Sequence, residues 1–131
     1  MIGWVGDIEE KTKDNQYFRE VIFTGQHSQV TVMSIKVGED VGLEVHPNVD
    51  QFLRIESGKA KVLMGPAEDQ LTQEQEAGEN WAIIVPAGTW HNVVNTGDSD
   101  LKLYSIYSPA NHPEGTIHRT KADAEAAEKA E

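Results

Sequence analysis

The chain has 131 residues, enough for one domain around one core, and its 22 acidic against 11 basic residues give a formal net charge of −11. Such a surface repels phosphate backbones and anionic headgroups, which sets nucleic acid and membrane surfaces aside as partners. There is no cysteine, hence no disulfide framework and no thiolate chemistry, and Met1 to Lys13 lacks the basic-then-apolar pattern of a secretory leader. No apolar run approaches the length of a membrane span, so a cytoplasmic protein is the expectation.

After a polar lead-in, Glu20 to Thr24 reads as a strand rich in Val, Ile, Phe and Thr. Gly25-Gln26-His27-Ser28 reads as a hairpin turn, and Gln29 to Val37 as the returning strand. Beyond the breakers Gly38-Glu39-Asp40 and Gly42, short strands are expected at Leu43–His46, Gln51–Ile55, Ala60–Met64, Trp81–Pro86, His91–Val94 and Leu101–Tyr107. The acidic connection from Met64 to Asn80 has room for one more, around Gln70–Thr72. Many short strands with no helical period between them predict an all-β sandwich or barrel. At the end, Thr120 is a helix N-cap with Asp123 three residues on, and Ala122 to Ala130 favours helix but offers only alanines to bury. The expected organisation is a barrel unit over 1–119 and a short helical or frayed acidic tail over 120–131.

Alternation along a strand puts Glu44 and His46 on one face. If Gln51 points inward, Leu53 and Ile55 follow it while Phe52 and Arg54 point out; His91, Val93 and Asn95 share a face in the same way. This pattern describes an apolar core with a polar site at one end.

The spacing of these residues resembles the cupin superfamily. Its first motif is matched by Gly38, five residues, Glu44-Val45-His46, four residues, Gln51, six residues and Gly58; its second by Pro86-Ala87-Gly88, His91 and Asn95. Asn80 stands where the family's second motif opens on glycine. The resemblance implies a double-stranded β-helix, or jelly-roll barrel, with a short C-terminal helix added here. It also implies one divalent metal ion, Zn, Mn, Fe, Ni or Co, held by Glu44, His46, Gln51 and His91. Glu44 replaces the family's usual first histidine and Gln51 its usual glutamate. The wider pattern, including Leu103-Tyr104-Ser105-Ile106-Tyr107 and the His112 to His118 stretch, is similar to small bacterial cupins of the mannose-6-phosphate-isomerase-like kind. Zinc-dependent phosphomannose isomerases use the same ligand types, with the Gln and Glu positions exchanged.

Three functions follow from that resemblance: a metalloenzyme of isomerase type on a small oxygen-rich molecule, a metal-dependent dioxygenase, and a non-enzymatic module for a metal or small ligand. The partners expected are a small-molecule substrate or ligand and a second copy of the chain in a homodimer, with Phe52 as a contact. A phosphate needs a cation in the pocket, yet Arg54 faces out, Lys36 falls opposite Met33 and Ile35, and only Arg119 is spare. The residues nominate no general base. His27 reads as solvated, and His112 and His118 as caps on the last strand or as part of a lid over the barrel mouth.

Overall fold

The structure, a computed structural model, describes residues 2–130, with side chains through Glu128; Met1 and Glu131, the outer ends of the expected barrel unit and tail, lie outside the described residues. The strands are β1 (Arg19–Thr24), β2 (Gln29–Ile35), β3 (Asp50–Ser57), β4 (Ala60–Gly65), β5 (Gln73–Ala77), β6 (Ala82–Val85), β7 (Trp90–Asn95), β8 (Leu101–Ser108) and β9 (Ile117–His118). Helix α1 (Ile8–Asp14) precedes them and α2 (Lys121–Ala130) follows. One sheet runs β6-β3-β8-β2-β1-β9 and the other β5-β4-β7. Every named pair is antiparallel.

The two sheets share one core, with Leu53, Ile55, Leu101 and Leu103 from the larger meeting Ala60, Val62 and Val93 from the smaller. The fold is the double-stranded β-helix with a C-terminal helix. The inward register is as the alternation required: Leu53 and Ile55 are 1% and 0% exposed, and Gln51 continues their face at 4%. Taking each such aliphatic side chain out of water is worth about 1.5–3 kcal/mol, and slipping β3 by one residue would bury Arg54 in their place. Arg54 instead stays at the surface and pairs with Glu56 at 2.9 Å.

Several elements differ from expectation. The lead-in contains α1, whose Asp7 side chain accepts a hydrogen bond from the Glu10 amide at 3.1 Å. Leu43–His46 is no strand: Gly42 at φ 99° breaks it off, Pro47 ends it, and only an isolated bridge joins Glu44 to His91. The strand expected around Gln70–Thr72 lies at β5 instead; Gln70 is consumed in a turn bridge to Ala67. α2 is not a free surface element either, because Ala124 is 3% exposed and packs into the core, while Lys121 pairs with Asp40. A side chain as small as alanine suffices where a helix lies close against a sheet.

Candidate metal centre

Glu44, His46 and His91 come together at one end of the barrel, with one ligand atom from each lying within 4.8 Å of the others. Their backbones are held first. Glu44 and His91 exchange reciprocal amide-to-carbonyl hydrogen bonds of 3.1 and 3.0 Å. The Gly88 amide donates to the His46 carbonyl at 2.9 Å from a turn that needs φ +81°, which glycine adopts without strain. Asp50 accepts from the Ala87 amide at 2.8 Å and braces the same turn. Asn80, at the family's glycine position, keeps the left-handed backbone that position asks for, with φ 70°; asparagine is among the few residues that tolerate it.

The side chains are then aimed. His91 Nδ1 lies 3.0 Å from the Thr89 carbonyl, so the proton belongs on Nδ1 and Nε2 is left as an acceptor. The Gln51 amide nitrogen donates to Ser105 Oγ at 3.3 Å, which turns Oε1 away as a bare acceptor. His46 Nε2, His91 Nε2 and Gln51 Oε1 are all buried and have no hydrogen-bond partner among the described residues. Buried polar atoms are normally paired. Two unpaired imidazole nitrogens beside a carboxylate, with a bare amide oxygen on the inward face of β3, fit a cation.

The electrostatics agree. Burial pushes the Glu44 carboxyl up to about 7, against the pull of the Arg19 charge. Burial holds His46 down to about 4, helped by His91 and Arg19, and lowers His91 as well. Both imidazoles are neutral, as ligands must be.

Glu44 and His46 also line a cavity of about 290 Å³, together with Arg19, His112 and His118. Pairing of β1 with β9 sets Arg19 opposite His118, and Arg19 Nη1 lies 3.2 Å from His118 Nδ1. The Gln29 side chain, fully buried, takes the Asn111 and His112 amides at 3.1 and 3.0 Å and donates to the His112 carbonyl at 2.7 Å. The segment after β8 is thereby fastened across the barrel mouth, with His112 Nε2 3.4 Å from the Tyr107 hydroxyl. Burial, with the nearby Arg19 and His118, drives His112 to about 3, so it too is neutral.

The cupin domain model matches residues 31–107, more than half of the chain. The chain belongs to the cupin family. It is 59% identical to YrkC of Bacillus subtilis (strain 168) over 125 residues, 95% of this chain and 67% of that protein. It is 45% identical to a protein of Acanthamoeba polyphaga mimivirus over 115 residues, 87% of this chain and 70% of that one. It also matches the crystal structure of BH2720 from Bacillus halodurans at 57% identity and a TM-score of 0.93, covering 94% and 93% of the two chains.

In this cupin Glu44, His46 and His91 come together, Gln51 is buried on the inward face of β3, and Arg54 stands at the surface. His27 is exposed in its turn. Phe52 faces out of the core and contacts Tyr104, with ring centroids 6.4 Å apart. Sequence reasoning missed Arg19, although it shares the parity of Val21 on β1 and so falls on an apolar face. Because Glu44 holds a proton up to about 7 and His46 only to about 4, metal competes mainly with the Glu44 proton. Metal affinity should rise about tenfold per pH unit up to about pH 7 and then level off. Calorimetric titration between pH 5.5 and 8.5 checks this, and Glu44→Gln should flatten the rise.

Proposed function

We propose that this cupin is a metalloenzyme that holds one divalent ion on Glu44, His46 and His91, with Gln51 as a fourth, weaker ligand, and acts on a small oxygen-rich molecule. The observation that carries it is the convergence of two buried imidazoles, each with an unpaired Nε2 among the described residues, on one carboxylate. Two imidazoles, one carboxylate and one amide suit Zn, Mn, Fe, Ni or Co. Such an ion acts as a Lewis acid on a carbonyl or hydroxyl oxygen.

The protein's own part is orientation and exclusion. Thr89 and Ser105 hold the His91 and Gln51 donor atoms in place, and the segment carrying His112 narrows the entrance. His112, neutral near pH 7, lines the same cavity as Glu44 and His46 and can donate or accept one hydrogen bond there. This favours chemistry of the isomerase type, in which a substrate oxygen is polarised and a proton moved. The two-histidine, one-carboxylate grouping also matches the ligand set of non-haem iron oxygenases, which supports a dioxygenase as second reading. We place the protein in the cytoplasm as a homodimer; no helix among the described residues is long and apolar enough to cross a membrane.

The test is a screen of metal-loaded protein against aldose–ketose pairs and against chelating diols under oxygen. Turnover that vanishes on chelation and in His91→Ala supports the enzyme. Metal bound without any conversion or oxygen uptake would reduce the protein to a binding module.

A further inference from the structure

Arg19 is 1% exposed, yet among the described residues no carboxylate lies within ion-pair distance of it. Its contacts are His118 Nδ1 at Nη1, 3.2 Å away, the Tyr107 hydroxyl, and the Phe18 ring, 5.3 Å from the guanidinium carbon. Nε is buried with no partner among the described residues. Arginine is rarely buried without an anion, because an uncompensated charge is costly to desolvate. Nε is the donor left over, on a guanidinium whose planar array of N–H groups suits the oxygens of a carboxylate.

The cavity lined by Arg19 is also lined by Glu44 and His46. With the metal centre loaded, the ion and Arg19 against Glu44 leave an excess of two positive charges, with His46 and His112 neutral. Glu128 also lines this cavity but is exposed at its mouth, where solvent screens it.

We propose that the cavity binds a small hydroxy- or oxo-acid, its carboxylate seated on Arg19 and its neighbouring oxygen turned toward Glu44, His46 and the metal they hold. The proposal rests on the metal-centre reading above. At about 290 Å³ the space suits a compact ligand, near the lower end of the roughly 300–1,000 Å³ usual for such sites. A phosphate dianion fits less well: among the described side chains no lysine lines the cavity, and α2 presents its C-terminal part, at Ala127 and Glu128, where the helix dipole is negative.

Cobalt(II)-loaded protein provides a readout that needs no turnover, because its visible spectrum responds to a new oxygen donor. Glycolate should shift the spectrum at concentrations at least tenfold below those required of glycolamide, its uncharged counterpart, and below those of inorganic phosphate. In Arg19→Gln, glycolate should need as much as glycolamide, at unchanged cobalt stoichiometry. If that variant does not fold, Arg19→Lys, which keeps the charge but loses the planar array, should weaken glycolate at least fivefold. Cobalt bound with equal responses to glycolate and glycolamide overturns the carboxylate proposal alone, as does a preference that survives loss of the guanidinium. A tighter response to phosphate overturns the choice of anion. Failure of the wild type to take up cobalt overturns the metal centre, and the ligand assignment with it.

Discussion

Glu44→Gln is expected to weaken metal binding at least a hundredfold, about 2.7 kcal/mol, whereas Gln51→Ala should cost no more than about tenfold. Glu44 supplies the only carboxylate in the cluster, and its side chain is 24% exposed, so its charge is only partly screened. The substitution keeps the shape and removes a negative charge facing a dication at short range, where Coulomb energies reach several kcal/mol. Gln51 contributes a neutral amide oxygen. Its loss leaves the two imidazoles and the carboxylate in place. Gln51→Glu should tighten binding and, by adding charge to the ion, impair any turnover that needs a strong Lewis acid. Titration of the three variants at one fixed pH decides the order. Equal losses for Glu44→Gln and Gln51→Ala would refute the ranking; no loss in either would mean that other residues form the site.

Chelation should lower the melting temperature of the wild type by roughly 10 °C. A ligand that binds only the folded state adds about 2.7 kcal/mol at a hundredfold excess over its Kd, and each kcal/mol is worth a few degrees in a domain of this size. His91→Ala, which removes a ligand 1% exposed in the site, should make melting insensitive to chelator. The comparison belongs at pH 7.5. In the metal-free protein, His46 and His112 titrate in the folded state at about 4 and about 3, below their ordinary value of 6.5. Their contribution to stability is present above pH 6.5 and falls as the pH drops toward those values, by about 1.4 kcal/mol per unit for each ring. Glu44, raised to about 7 from 4.5, runs the other way: its contribution is present below pH 4.5 and is lost as the pH rises through 7. Between pH 6.5 and 4.5 the carboxyl offsets one ring, so a net loss toward acid remains.

The barrel and the grouping of Glu44, His46 and His91 were legible because both rest on local signals. Leu53 and Ile55 alternate with Arg54 on one strand, and Gly88 and Pro86 fix the turn that delivers His91. Helix α1 had a local signal too, Asp7 followed by Glu10, but its short span carries little apolar pattern. Strand β5, all Gln and Glu until Ala77, has poor intrinsic strand preference and exists because β4 offers it a partner. The contribution of Arg19 and His118 to the cavity was hidden for a different reason. Arg19 and His118 lie 99 positions apart and meet only through the pairing of β1 with β9. Gln29 likewise fixes His112 from 83 positions away. Nothing in the spacing near either end of those pairs announces the other.

The most direct test of the metal centre is anomalous diffraction from crystals of untagged protein, with the X-ray energy scanned across the edges of the candidate metals. The expected result is one anomalous peak per chain about 2.0–2.2 Å from His46 Nε2, His91 Nε2 and a Glu44 oxygen. The contrary result is no peak among these side chains in crystals soaked with zinc, manganese and cobalt in turn.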